Sequence, residues 1–227
     1  IAPEIWSGRC DVAGADVVVT DVDVSFDDVH VLQSVNLRVA ASEVVALLGP
    51  SGSGKSTLLR VIAGMVAPDA GSVSIDGTEV THTPTHRRGV GMVFQDNQLF
   101  PHRSTLDNVA FGLKMAGVGR AERHERAERW LERVGLESFG ERKVTELSGG
   151  EAKRVALART LAIEPAVVLL DEPLTGLDRE LHDQLVDELA ALLHSTDATA
   201  LLVTHDVGEA AAIADRTVRL ADLQDSS

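Results

Sequence analysis

One stretch limits what this chain can fold into more than any other: Gly49-Pro50-Ser51-Gly52-Ser53-Gly54-Lys55-Ser56-Thr57. Gly49 and Gly54 bracket four residues and Lys55-Ser56 follow at once, matching G-x-x-x-x-G-K-[ST] without a mismatch. Glycine reaches backbone angles closed to other residues, so successive N–H groups can turn inward around a polyphosphate. Lys55 is placed to reach the β- and γ-phosphates, and the Ser56 hydroxyl to complete the shell of a Mg²⁺ ion. The pattern carries this meaning only between a strand and a helix. Glu43-Val44-Val45-Ala46-Leu47-Leu48 is an apolar, β-branched run, and residues 57–63 read as a helix closed by Gly64. Both neighbours are present, and the stretch reads as a nucleotide-phosphate site.

The rest of the chain alternates between strand and helix patterns. Residues 16–25 and 31–39 alternate in hydropathy as strands, with Asp27-Asp28 in the turn between them. Residues 72–75 form a short strand with an Asp76-Gly77 turn, and Gly91-Met92-Val93-Phe94 is an apolar strand ending at Gln95. Ser104 opens a helix in which Asp107 is placed to reach back to the cap. The spacing predicts a charged helix over 120–134, with Ala127, Trp130, Leu131 and Val134 on one stripe and i,i+4 Glu/Arg pairs on the other. An amphipathic helix is expected over 150–162, a buried strand over 166–170, and a helix over 179–194. A strand over 198–203, a helix over 207–214 and a last strand over 218–220 follow. Such alternation specifies an α/β fold with a mostly parallel sheet flanked by helices. The strands before the phosphate loop add an N-terminal antiparallel portion. The helical stretch between the sheet halves, approximately 96–163, is read as an inserted subdomain of a domain spanning 16–227. Residues 1–15 lack periodicity and read as an extension.

Val167-Val168-Leu169-Leu170-Asp171-Glu172 supplies what a phosphate loop lacks. A carboxylate at the tip of a buried strand can hold the hydration shell of Mg²⁺, the role of Asp171. Glu172, one residue on, can orient and deprotonate an attacking water. Either half alone specifies only a P-loop NTPase, a class that includes GTPases, kinases, recombinases and motors. Four further features narrow it. Leu147-Ser148-Gly149-Gly150-Glu151 opens a helix, and its free N–H groups with the Ser148 hydroxyl form an anion site at the positive end of a dipole. A second anion site in a chain with one nucleotide makes sense if it faces a partner's nucleotide. Gln95 follows an apolar strand, within reach of metal and water. Thr175-Gly176-Leu177-Asp178 follows the carboxylate pair, and His205 ends the next strand.

A formal net charge of -14 argues against a nucleic-acid-binding surface. Cys10 is the single cysteine, which excludes an intrachain disulfide and a cysteine-based zinc site. No apolar run approaches the roughly 18–20 residues of a membrane span. With no basic-then-apolar leader at the start, a cytosolic location is expected. Because the sequence opens at Ile1 without an initiator Met, its true start is expected to lie upstream.

With these motifs in order, the chain resembles the ATP-binding subunit of ABC (ATP-binding cassette) transporters, from about Phe26 to Leu220. The resemblance implies a Q-loop glutamine at Gln95, the LSGGQ signature at Leu147 to Glu151, and the Mg²⁺ aspartate at Asp171. It implies a catalytic glutamate at Glu172, a D-loop aspartate at Asp178 and a switch histidine at His205. Phe26 stands where the family places an aromatic that stacks on adenine. No Asn-Lys-x-Asp guanine motif occurs, which favours ATP over GTP. The family further implies an ATP-dependent head-to-tail homodimer, each ATP held between one copy's phosphate loop and the other's signature helix. Integral membrane permease subunits, an extracytoplasmic solute-binding protein and a peripheral position on the cytoplasmic face of the membrane complete that picture. Residues 95–109 are the expected permease-docking stretch. Phe-Gln followed by Leu-Phe-Pro-His resembles the importer subunits for thiamine, iron, polyamine, sulfate and molybdate.

The sequence departs from the family pattern in three places. Glu151 replaces the usual Gln, Ser42 stands where Gly is frequent, and Thr175-Gly176 replaces Ser-Ala. The short stretch after His205 gives no expectation of a C-terminal regulatory domain. Competing readings are a soluble ABC ATPase of DNA repair or chromosome maintenance, a ribosome-binding regulator and an exporter subunit. The first expects coiled-coil insertions, zinc cysteines or basic surfaces, and none is in the sequence.

Overall fold

The computed structural model describes residues 14–27 and 29–224. Cys10, most of the expected extension and Asp28 of the first turn lie outside the described residues. Gly14 and Ala15, assigned to the extension by sequence, belong to the packed body: Ala15 is buried and its N–H donates to the Ala166 carbonyl at 3.4 Å.

Strands β1 (Val17–Phe26) and β2 (Val29–Val39) form an antiparallel pair. Strand β3 (Val44–Leu48) follows and delivers the phosphate loop to helix α1 (Lys55–Ala63). The hairpin strands β4 (Ala70–Ile75) and β5 (Thr78–Glu79) return the chain to β1, and β6 (Val90–Val93) enters the second sheet. Then come α2 (Thr105–Val109), α3 (Phe111–Met115), α4 (Arg120–Arg133) and α5 (Gly149–Leu161). The chain closes with β7 (Val167–Asp171), α6 (Arg179–His194), β8 (Thr199–Thr204), α7 (Val207–Ile213) and β9 (Arg216–Arg219).

Two sheets result: an antiparallel one ordered β2-β1-β4-β5, and an all-parallel one ordered β6-β7-β8-β3-β9. β3, β7 and β8 read as unbroken apolar runs because the parallel sheet is covered on both faces. Alternate residues point opposite ways. Val45, Leu47, Leu169, Leu201 and Val203 face α1 and the antiparallel sheet. Val44, Val168, Leu170, Ala200 and Leu202 face α5, α6 and the other helices. α1 is thus sandwiched, with Leu58, Leu59 and Ile62 fully buried, so the phosphate loop rests on the centre of the fold.

Several expectations need correction. The helix after Ser148 is not amphipathic: Val155, Ala156, Leu157, Ala158, Thr160 and Leu161 are buried on every side, between sheet and neighbouring helices. Ser104 does cap α2 by accepting the Asp107 N–H at 3.1 Å, but the Asp107 carboxylate faces His124 at 3.8 Å instead of reaching back. The last strand is the edge strand Arg216–Arg219, and Leu220 already begins a 3₁₀ turn. The helix from Ser104 breaks at Ala110 into α2 and α3. In α4 the buried stripe and the i,i+4 pairs Glu122–Arg126 and Glu125–Arg129, each 2.6 Å, follow the sequence pattern. Among the described residues no helix is long and apolar enough to cross a membrane.

Candidate active site

Parallel strands end at one edge of their sheet, and that edge is where an open α/β fold gathers ligand-binding groups. Here register decides which groups meet. Leu48, the last residue before the phosphate loop, lies beside Thr204, and Asp171 lies beside Val203. Val93 pairs with Leu170, so Gln95 emerges next to the same corner. Four separate loops therefore converge on a cleft of about 490 Å³ lined by Phe26, Ser51, Gly52, Gly54, Lys55, Ser56, Thr57, Gln95 and Glu172, with Val31 added.

The phosphate loop has the conformation its glycines permit. Gly54 is the N-cap of α1 at φ 102°, and Gly52 has φ 78°. A Cβ at Gly54 would stand 2.8 Å from the Val31 carbonyl oxygen, so the strand behind the loop also demands glycine. Ser53 N–H donates to the Pro50 carbonyl at 3.2 Å, which curls the loop. The first helical bond is from Leu58 N–H to the Gly54 carbonyl, 3.0 Å, leaving the N–H groups of Lys55, Ser56 and Thr57 ahead of it as helix-terminal donors. Lys55 is buried and donates to the Gly49 and Pro50 carbonyls at 2.7 and 2.8 Å, so its ammonium lies folded across the loop mouth. Ser53 Oγ is buried without a hydrogen-bond partner among the described residues. Such an orphan, in a loop of inward donors, fits a site shaped for a ligand rich in acceptor oxygens.

Ser56 Oγ donates to Asp171 Oδ1 at 2.7 Å, across a sequence separation of 115 residues. A hydroxyl and a buried carboxylate at the loop mouth are an oxygen donor set of the kind that holds a hard divalent cation. Glu172 N–H is anchored to the Val203 carbonyl at 3.0 Å, and its residue takes φ 45°. A non-glycine residue at that angle carries about 1 kcal/mol of strain, which the surrounding bonds hold in place. Its Oε2 accepts from Thr175 Oγ1 at 3.2 Å and lies 3.3 Å from His205 Nδ1. Glu172 is 15% exposed and His205 54%, so the carboxylate is recessed and the imidazole open to solvent. Thr175, to which the sequence assigns no site role, is thereby a direct partner of Glu172.

Not every expected site residue gathers here. Ser148, Gly149, Gly150 and Asp178 do not line this cleft, and Asp171 and His205 join it only through Ser56 and Glu172, which do. Ser148 caps α5 through a full capping box: it accepts the Glu151 N–H at 3.3 Å while the Glu151 carboxylate accepts the Ser148 N–H at 2.7 Å. That backbone bond holds the Glu151 carboxyl below the usual carboxylate range, so glutamate serves the cap as well as glutamine. Gly150 is small for a packing reason, since a Cβ there would meet Leu181 at 2.8 Å. Asp178 caps α6 by accepting the Leu181 N–H at 3.0 Å. Ser42 stands at φ 60°, held by donating its hydroxyl to the Asp197 carbonyl at 2.8 Å.

Two buried cations, Arg88 and Lys153, and the half-buried Arg159 have structural roles that no sequence motif marks. Arg88 donates to the carbonyls of Thr83, Val61, Ile62 and Thr81 at 2.7–2.9 Å, capping the far end of α1. Arg159 of α5 donates to the carbonyls of Gln98 and Asn97 at 2.7 and 2.8 Å, pinning the segment after Gln95. Lys153 of α5 is buried as well, and desolvation lowers the pKa of all three.

A family model described as ABC transporter matches residues 32–175. Among curated proteins, "Fe(3+) ions import ATP-binding protein FbpC" of Streptomyces coelicolor is 52% identical over 199 residues, 88% of this chain and 57% of the relative. "Sulfate/thiosulfate import ATP-binding protein CysA" of Mycobacterium bovis is 46% identical over 200 residues, again 88% of this chain and 57% of the relative. The chain thus spans a little over half the length of these relatives. Among solved structures, the dimeric post-hydrolysis state of the ATP-binding cassette MJ0796, bound to ADP and Pi, superposes with a TM-score of 0.81 at 32% identity. It covers 93% of this chain and 97% of its own. That match covers well over half of the chain, and the relatives are close to half identical across most of it, so the chain belongs to the ABC transporter family.

Proposed function

We propose that this chain is the ATP-binding and ATP-hydrolysing subunit that powers an ABC importer. The observation that carries it is that Ser56 and Glu172 line one cleft while each is paired behind it, Ser56 with Asp171 at 2.7 Å and Glu172 with His205 at 3.3 Å. Phe26, 47% exposed at the cleft rim, offers a ring face for adenine. The residues Gly49, Pro50, Ser51, Gly52, Ser53, Gly54, Lys55, Ser56 and Thr57 wrap the triphosphate, Lys55 exchanging its two loop carbonyls for phosphate oxygens. Ser56, Asp171 and Gln95 hold Mg²⁺, which neutralises phosphate charge when bound. Glu172 orients and deprotonates the attacking water, and Thr175 and His205 fix its carboxylate. His205 also contacts the γ-phosphate.

The signature end at Ser148, Gly149 and Gly150, together with Asp178, lies off its own chain's cleft, which supports a role across a dimer. In a head-to-tail pair of copies these groups reach the partner's nucleotide and supply charge stabilisation there. The relative bound to ADP and Pi is dimeric. Closure on ATP and reopening after hydrolysis drive permease subunits at the cytoplasmic face of the membrane, and an extracytoplasmic solute-binding protein delivers the solute. Residues 95–109 are the docking stretch: Phe100 packs at a tilt against Phe111 of α3 with centroids 4.5 Å apart, and Arg103 covers both rings. Residues 16–227 form the cassette, with the helices between 96 and 163 as its moving part. The relatives act on iron(III) and on sulfate or thiosulfate, and an inorganic ion is the solute class we assign.

Glu172→Gln is the test. It retains shape and hydrogen bonding but removes the base, so Mg-ATP binding persists, hydrolysis falls by about 10²–10⁴-fold, and an ATP-bound dimer accumulates. Hydrolysis at the parental rate would overturn the assignment.

A further inference from the structure

Helix α7 inverts the usual hydropathy rule. Val207 is 66% exposed while Glu209, two residues on, is 6% exposed. A buried carboxylate is costly unless it has partners, so its surroundings merit inspection. Thr204 Oγ1, 1% exposed at the end of β8, donates to Glu209 Oε2 at 2.9 Å. The same hydroxyl accepts the Asp206 N–H at 3.0 Å. The Asp206 carboxylate in turn accepts the N–H groups of Gly208 and Glu209 at 2.7 and 3.0 Å. His205 takes no part in these bonds, but it is held between the two residues, Thr204 and Asp206, that do, and it is presented to Glu172 at 3.3 Å.

Two further elements bear on the same carboxylate. His182 of α6 places Nε2 3.8 Å from Glu209 Oε2. The ammonium of Lys153, 6% exposed on α5, feels its charge through the interior. Burial pushes the Glu209 carboxyl up, and its Oε1 is buried with no partner among the described residues. A group this dearly desolvated is retained for a position it imposes. Glu209 is where the helix begun at Asp178 and the turn carrying His205 come together.

We propose that Glu209 is a positioning residue for His205: acting through Thr204, it locks the strand-to-helix turn that holds the imidazole against Glu172. This rests on the ATPase reading above. Glu209 does not line the cleft, so its loss misplaces His205 without emptying the site.

The experiment measures steady-state Mg-ATP hydrolysis by the full chain, beside its permease where the isolated chain is silent. Thr204→Val keeps shape and strand preference but deletes both bonds of the relay. Thr204→Val and Glu209→Ala each lower kcat about 10-fold with KM for ATP within about twofold, because misorientation acts on the reacting geometry and not on ground-state binding. The double variant is no slower than either single one, since both break one chain of bonds. Glu209→Gln, whose amide oxygen accepts the same hydroxyl, recovers to within about threefold of the parent. Losses that multiply in the double variant, a change confined to KM, or a Gln variant no better than Ala would overturn the assignment. If Glu209→Ala does not fold, Thr204→Val, Glu209→Gln and their double decide the matter by the same criteria. A parent that never hydrolyses ATP overturns the ATPase reading itself, whereas a working parent with unaffected variants overturns only the role of Glu209.

Discussion

Arg88 offers the sharpest energetic test of how the phosphate-loop helix is held. Its guanidinium, 6% exposed, forms four hydrogen bonds to backbone carbonyls and pairs with no carboxylate among the described residues. Two of the acceptors, Val61 and Ile62, are in the last turn of α1, where carbonyls lack helical partners. Arg88→Met fills most of the volume but donates nothing. The Val61 carbonyl still accepts the Gly64 N–H at 3.0 Å, so three carbonyls, those of Ile62, Thr81 and Thr83, are left without their donor. At about 1–1.5 kcal/mol for each buried unsatisfied acceptor, the loss is about 3–4.5 kcal/mol. Relief of the arginine's own desolvation, the cause of its lowered pKa, reduces this toward about 3 kcal/mol. For a domain of this size that corresponds to a fall in Tm of about 6–12 °C. Urea unfolding followed by circular dichroism should give a lower midpoint with an unchanged slope. Arg88→Lys, with one ammonium in place of a planar fork, should lose roughly half as much. A Met variant within about 1 kcal/mol of the parent would refute the reasoning, since four buried charge-assisted bonds would then contribute almost nothing.

Three further outcomes are expected. Gly54→Ala should weaken ATP binding at least about 100-fold by calorimetry, because a Cβ at φ 102° meets the Val31 backbone oxygen at 2.8 Å; retained affinity would mean the loop relaxes freely. Arg159→Met should raise amide exchange across residues 96–100 at least about tenfold, since Asn97 and Gln98, both at positive φ, lose the donors that hold their carbonyls. The carboxyls of Glu151 and Asp206 are held low by backbone N–H groups, of Ser148 and of Glu209 and Gly208 respectively. A depressed folded pKa contributes stability that is present above the ordinary carboxylate value and lost as pH falls through the folded one. Melting temperature should therefore drop below about pH 4, and the Glu151→Gln/Asp206→Asn double variant should show a flatter acid limb. Parallel limbs would contradict this.

Much of the active site is legible without coordinates because its parts are contiguous in the chain. The phosphate loop's glycines, Lys55 and Ser56 act through local backbone geometry, and Asp171-Glu172 is marked by the apolar strand before it. Even so, α5 was misread as amphipathic: hydropathy alone cannot tell a helix wrapped by neighbours on all sides from one with a wet face. Arg88, Arg159, Lys153 and Glu209 were invisible for a related reason. A charged residue reads as surface in any pattern, and only a count of the carbonyls and hydroxyls around it shows that it is inside.

The amino-acid order by itself determined the strand–loop–helix that grips phosphate, the alternation that yields a parallel sheet, and the identity of the acid–base candidates, since each is set by neighbours within a few residues. Tertiary structure alone decided their company. The β6-β7-β8-β3 strand order placed Ser56 against Asp171 and Glu172 against His205, and left Ser148 outside its own chain's cleft. It also turned Val207 outward and Glu209 inward. Such pairings join residues far apart in the chain, and long-range register is a property of the packed sheet that no local segment carries.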